Sequence, residues 1–128
     1  MKRTTPTRRN RSRIALGAFF SASGINHFVM PRAYRAIVPP GFGDPALVVA
    51  VSGVAEIAGG LGVLLPATRR ASGWGLVALL IAIFPANIHM AVNPDQIKGL
   101  KVPRPLLWLR LPLQPAMMWW AWSATRRD

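Results

Sequence analysis

The sequence predicts an all-α integral membrane protein, built as a four-helix antiparallel bundle with both termini in the cytoplasm. Three observations support this fold class. Four apolar runs each approach the length of about 20 residues that crosses a bilayer, and most charges and prolines lie between them. Because lipid offers the backbone no hydrogen bonds, runs of this length are expected to be helical. The predicted spans are residues 14–30, 46–65, 71–92 and 106–124.

The composition agrees with this class and excludes several others. Of the 128 residues, 52% are hydrophobic, which excludes an intrinsically disordered chain. The chain has no cysteine, so disulfides, thiol chemistry and cysteine-based metal sites are excluded. The formal net charge is +12, and six of the 16 Lys and Arg residues fall within residues 1–13. We therefore expect a basic cytoplasmic tail at 1–13, one four-span domain at 14–124, and a second basic tail at 125–128.

The basic residues also predict the orientation, because cytoplasmic loops of membrane proteins carry an excess of Lys and Arg. With the N-terminus inside, the inner side holds ten such residues and the outer side five. The expected location is the inner or plasma membrane of the cell, crossed several times. A cleaved signal peptide is the alternative for the first run, because Ser21-Ala22-Ser23 resembles a small-residue cleavage site.

Polar residues interrupt each of the four runs. A charged group near the bilayer centre costs about 2.5–3.5 kcal/mol, so such residues are expected to face the protein interior and find partners. A helical rise of about 1.5 Å per residue places them between the middle and the outer face of the membrane. The sequence therefore predicts one polar pocket that leans outward. Its candidate binding residues are Asn26, His27, Glu56, Asn87, His89, Arg110 and Gln114.

Within this pocket we expect Glu56 to pair with Arg110. Ser52, Glu56 and Gly60 share one helix face, and the glycines around Glu56 allow close helix packing or leave room for a flat ligand. Pro112 and Pro115 remove backbone hydrogen bonds from the fourth helix, so this helix is predicted to be weak and to need the Glu56–Arg110 pair for stable insertion. Two alternatives remain open: the pair only locks the bundle, or Arg110 reaches outward to lipid phosphates.

The sequence gives less support to other chemistries. No H-x-x-H or H-x-x-x-H pair is present, so no metal site is predicted, although His27, His89 and Glu56 would be three ligands if the helices joined them. Motifs of soluble enzymes are absent, and no catalytic residue is predicted. The basic N-terminus is interpreted as a topology determinant that touches anionic lipid, and nucleic acid is not an expected partner.

Several segments, taken in order, resemble the DoxX family of small four-helix membrane proteins. The resemblance runs from about residue 14 to residue 122. It rests above all on Gly24-Ile25-Asn26-His27-Phe28, Ser52-Gly53-Val54-Ala55-Glu56, Phe84-Pro85-Ala86-Asn87-Ile88-His89-Met90 and Arg110-Leu111-Pro112-Leu113-Gln114.

The DoxX family takes its name from a membrane subunit associated with a quinone-reducing thiosulfate oxidoreductase. The resemblance implies a membrane partner of redox enzymes, or a helper in assembling membrane proteins. It marks His27, Glu56, His89 and Arg110 as the polar positions to test. Because the chain lacks cysteine, any electrons would pass through a quinone or a partner.

The leading functional expectation is thus an accessory or binding subunit, not catalytic alone, that holds a quinone-like lipid or docks a membrane or periplasmic redox partner. One alternative is a structural or assembly factor without a ligand. Another is a small transporter or proton pathway, which is weakened because residues 57–65 contain no ionisable group below Glu56. A homo-oligomer is also compatible with the sequence, which does not determine the oligomeric state.

Overall fold

The computed structural model describes residues 8–97 and 103–126, except the side chain of Gln96. All regular secondary structure in the described residues is helical, so the predicted all-α class is confirmed. The helices are α1 (Arg8–Val29), α2 (Pro31–Ala36), α3 (Pro45–Leu64), α4 (Arg69–Val92) and α5 (Arg104–Thr125), with a 3₁₀ turn at Pro94–Gln96. The basic residues Lys2, Arg3, Lys98, Lys101 and Arg127 lie outside the described part of the chain.

The four long helices α1, α3, α4 and α5 cover the four apolar runs, except for the last residue of the first and second runs. α1 starts earlier than the first run, so residues 8–13, expected to be part of a tail, are helical. α5 continues through both of its internal prolines from Arg104 to Thr125, although Pro112 and Pro115 predicted a weak helix. Its buried face explains this, since packing against neighbouring helices offsets the hydrogen bonds that a proline removes.

Prolines and one acidic residue define where α3 begins. The carboxylate of Asp44 accepts a hydrogen bond from the backbone N–H of Ala46 at 3.1 Å, which satisfies one of the free donors at the helix N-terminus. Pro45 occupies the first helical position, where the missing N–H costs nothing. α2 and α5 likewise have a proline in their first turn.

The long helices pack in chain order, α1 on α3, α3 on α4, α4 on α5, and α5 back on α1. Consecutive long helices run antiparallel. Gly17 of α1 lies against Gly60 of α3, for example, while Gly24 lies against Gly53. α3 and α5 are therefore diagonal to each other, with α1 and α4 between them.

Paired glycines bring α1 and α3 into backbone contact. A Cβ atom on Gly24 would stand 2.6 Å from the carbonyl oxygen of Gly53, and one on Gly17 would stand 2.7 Å from the carbonyl oxygen of Gly60. Real Cβ atoms essentially never approach backbone oxygens this closely. The expectation that the glycines of α3 permit close packing is thus met at Gly53 and Gly60, and their partners are glycines of α1.

Arginine side chains join the helix ends at the end of the molecule that holds Arg8 and Arg126. Arg13 is buried and its Nε donates to the carbonyl of Ala124 at 2.8 Å, while Arg9 donates to the carbonyl of Arg126. Arg69 donates from Nε to the carbonyl of Val63 at 2.8 Å. These bonds satisfy carbonyls that the last turns of α5 and α3 leave free, where a positive charge also complements the helix dipole.

Buried apolar side chains fill this arginine end of the bundle. One cluster joins all four long helices and includes Leu16, Phe20, Val63, Leu76 and Ala121. A second, smaller cluster of Met90, Ala91, Ile97 and Leu107 lies at the opposite end, between α4, the 3₁₀ turn and α5.

Two helices, α3 at Pro45–Leu64 and α4 at Arg69–Val92, are long and apolar enough to cross a membrane. The four-span prediction therefore holds in part among the described residues. α1 and α5 differ from this pair in composition. The first two turns of α1 are rich in arginine, and α5 carries Arg110, Gln114 and its internal prolines.

Candidate binding site

A cavity of about 180 Å³ lies among the four long helices and α2. Apolar side chains form much of its wall, among them Phe20, Leu80, Ile83 and Met117. Polar side chains occupy the rest, and five of them are predicted pocket residues: His27, Glu56, Asn87, Arg110 and Gln114. The cavity ends where the apolar cluster at the arginine end begins, since Phe20 and Leu80 belong to both.

A carboxylate and an imidazole meet in the cavity wall. Nε2 of His27 lies 2.7 Å from Oε2 of Glu56, and only 7% of His27 and 4% of Glu56 are exposed. Ser23 of α1 donates to the other carboxylate oxygen, Oε1, at 3.0 Å. Oε2 faces Nε2 of His27 at ion-pair distance and has almost no accessible surface of its own.

The other nitrogen of His27 contacts α3. Nδ1 lies 3.2 Å from the carbonyl oxygen of Val49 and 3.2 Å from the hydroxyl of Ser52. A carbonyl oxygen only accepts, so a bond to Val49 requires Nδ1 to carry a proton, and with an ionised Glu56 the other nitrogen then donates as well, which makes the ring an imidazolium. A neutral ring instead accepts from Ser52 and donates from Nε2 to Glu56. The arrangement therefore accommodates both charge states, as a proton-exchanging group requires.

α2 contributes an aromatic ring that packs on His27. The ring of Tyr34 stacks on that of His27, with centroids 4.1 Å apart and planes inclined by 30°. Asn26, next to His27 in α1, donates from Nδ2 to the hydroxyl of Tyr34 at 2.8 Å. Asn26 thus acts on the cavity through Tyr34, which lines the cavity while Asn26 does not.

A pair of amides links α4 and α5 on another part of the wall. Asn87 donates to Oε1 of Gln114 at 2.8 Å, and Gln114 donates to the backbone carbonyl of Leu80 at 3.1 Å. Both amides are buried. Leu80 lies in the turn before Pro85, where the proline interrupts the ladder of backbone bonds. These amides therefore join α4 to α5 near Pro85 as well as lining the cavity.

The predicted Glu56–Arg110 pair is wrong. Glu56 bonds to Ser23 and contacts His27, whereas Arg110 makes no hydrogen bond or ion pair with any residue that the structure describes. The helix order explains the error, because α1 lies against α3 while α5 lies diagonally across from it. Arg110 nevertheless lines the same cavity and is exposed.

His89 is separated from the other predicted pocket residues. It does not line the cavity, and its Nδ1 lies 3.4 Å from the amide nitrogen of Asn93 on its own helix end. Asn87 and His89 are two residues apart, and residues so spaced do not share a face of a helix. Among the described residues, no group of three or more His, Asp or Glu side chains could hold a metal ion.

Sequence reasoning did not assign Ser23 and Tyr34 to the pocket. Ser23 is four residues before His27 in α1, so the helical repeat alone places both on one face. Tyr34 gave no such signal, because its position depends on the turn between α1 and α2.

The fold and the site define an all-helical protein with two helices of membrane-spanning character and a cavity with polar groups in its wall. The chain belongs to the family described as domain of unknown function DUF8561, which matches residues 16–125. This match contains every residue that lines the cavity. No curated protein and no solved structure matches the chain. The resemblance to the DoxX family stays a prediction.

Proposed function

We propose that the chain is a multi-pass protein of the cell membrane, in which the four long helices cross the bilayer with both termini inside. The membrane-spanning character of α3 and α4 supports this proposal. Large apolar side chains are also exposed on every long helix, including Ile25, Val54, Ile81 and Leu109. Exposed apolar surface distributed around a whole bundle is typical of contact with lipid.

Cysteine labelling tests this topology, since the chain contains no cysteine of its own. Phe42 between α2 and α3 and Ala67 between α3 and α4 are both exposed. We expect a membrane-impermeant maleimide to label Phe42→Cys in intact cells and to label Ala67→Cys only after permeabilisation. Labelling of both variants in intact cells, or of neither after permeabilisation, would contradict the proposed crossing.

Within this bundle, we propose that the cavity binds the ring of a small quinone-like lipid, and that the protein is an accessory subunit of a membrane redox system. The cavity itself carries the proposal. An engineered apolar cavity of about 150 Å³ binds benzene, so about 180 Å³ accommodates a ring with small substituents. The pair of Glu56 and His27 in the cavity wall supplies groups that can exchange a proton beside the ring.

A structural or assembly role without a ligand is the second candidate. The observation in its favour is that Asn87, Gln114, Ser23 and His27 already have partners in neighbouring helices. Bonds of this kind join helices in membranes. A transmembrane proton pathway receives less support, because the apolar cluster around Leu16 fills the bundle between the cavity and the arginine end.

A cavity-filling substitution distinguishes these two candidates. Ala86 lines the cavity from α4, whereas Ala82 on the same helix is exposed and does not line it. We expect Ala86→Phe to reduce the binding of naphthoquinone to protein in phosphatidylcholine nanodiscs by at least about tenfold, since the new ring occupies the site. Ala82→Phe is the matched control and should bind as the wild type does.

Equilibrium dialysis measures this binding, with empty nanodiscs subtracted to remove partitioning into lipid. Thermal unfolding of each variant shows that the fold is retained. Equal binding by Ala86→Phe and Ala82→Phe, or no binding by the wild type, would favour the structural role.

A further inference from the structure

The cavity contains one positive charge that the described residues do not balance. Its charged or chargeable lining residues are His27, Glu56 and Arg110. His27 and Glu56 are within 2.7 Å of each other, so a carboxylate and an imidazolium there would cancel. Arg110 has no ion-pair partner among the described residues, and Glu56 is the one acidic residue among those of them that line the cavity.

The unpaired charge of Arg110 raises the free energy of the protein because of where Arg110 lies along α5. Arg110 is the seventh residue of α5, which places it roughly 9 Å from the start of the helix. A guanidinium in the apolar zone requires a partner, and a side chain that is exposed and also lines the cavity can take one from a ligand. Gln114, one turn further along the same face, is already bonded to Asn87 and Leu80 and does not compete.

We propose that the ligand of this cavity carries an anionic oxygen, a carboxylate or an acidic ring hydroxyl, and that Arg110 binds this group. The inference rests on the proposed function and narrows its ligand class. Arg110 and Glu56 belong to diagonal helices with the cavity between them. A ring held between them therefore presents its anionic oxygen to Arg110 and a neutral oxygen or hydroxyl to the pair of His27 and Glu56.

A matched pair of probes tests this assignment. Lawsone is naphthoquinone with one added acidic hydroxyl, which is ionised at neutral pH. We expect wild-type protein in phosphatidylcholine nanodiscs to bind lawsone at least about tenfold more tightly than naphthoquinone, because a charge-assisted hydrogen bond is added. Arg110→Gln should abolish this preference, so that the variant binds the two probes alike, and Arg110→Lys should restore part of it.

The outcomes separate the inference from the function on which it rests. Equal binding of the two probes by the wild type, or a lawsone preference that survives in Arg110→Gln, would overturn the inference and leave the proposed function standing. Binding of neither probe would overturn both.

Discussion

Replacing Gly24 with alanine is expected to destabilise the folded protein by about 3 kcal/mol or more, at the upper end of overpacking effects. The added methyl would stand 2.6 Å from the carbonyl oxygen of Gly53 and 2.9 Å from the backbone nitrogen of Ile57. Neither atom belongs to a side chain that can rotate away, so α1 and α3 must separate. Thermal unfolding of the purified protein, together with its yield from membranes, measures the loss.

Gly75 is the matched control for this substitution. It lies inside α4, and a Cβ atom added there meets nothing within 4 Å. Alanine is a better helix former than glycine by about 1 kcal/mol, so Gly75→Ala should leave stability unchanged or raise it. Gly59→Ala should fall between the two, because its nearest neighbour is the flexible side chain of Leu76. Similar melting temperatures for Gly24→Ala and Gly75→Ala would show that the glycine contact does not hold α1 to α3.

Removing the carboxylate of Glu56 is the second change with a large expected effect. In Glu56→Leu, His27 keeps its buried ring but loses the group 2.7 Å from Nε2, and the hydroxyl of Ser23 loses its acceptor. Breaking a buried pair by removing one partner costs about 3–5 kcal/mol. We expect a corresponding fall in melting temperature, and a smaller one for Glu56→Gln, whose amide oxygen can still accept from Ser23.

The double variant His27→Leu with Glu56→Leu tells whether the pair serves stability or binding. Replacing both members of a buried pair with apolar residues is often neutral or stabilising. The double variant should therefore recover much of the stability that Glu56→Leu loses, while naphthoquinone binding stays impaired. Recovery of both stability and binding would show that the pair is not part of the binding site. A double variant as unstable as Glu56→Leu would show that His27 and Glu56 also stabilise the fold through contacts with other residues.

The sequence predicted the helices well because its apolar runs and prolines are local signals. Contacts between helices depend on which helix faces meet, and the sequence indicates these faces only in part. Gly53 and Gly60 of α3 are seven residues apart. Their partners Gly24 and Gly17 have the same spacing in α1, and this shared spacing is the sequence signal for the contact between the two helices. Two helices with equally spaced glycines are natural partners when they run antiparallel.

The composition of the site shows the limit of depth estimates. The rise per residue placed Glu56 roughly 15 Å deep and Arg110 about 6–8 Å below the outer surface, and pairing them by charge followed because the long arginine side chain can reach inward. Depth carries no information on the order of helices around the bundle, so it could not distinguish His27 of the adjacent α1 from Arg110 of the diagonal α5. His89 could have been separated from Asn87 beforehand, since helical geometry alone directs them to different faces.

The bonds from Arg9 and Arg13 to the end of α5 have a consequence for synthesis. Arg13 and its acceptor on Ala124 are 111 positions apart, so almost the whole chain is made before the acceptor exists. A ribosome that has released only the first three long helices leaves this guanidinium without its carbonyl on α5. Closure of the ring of helices must therefore wait for the C-terminal segment to emerge, and truncation within the last turn of α5 would remove the acceptors of Arg9 and Arg13 while leaving the bond from Trp120 to Ser12.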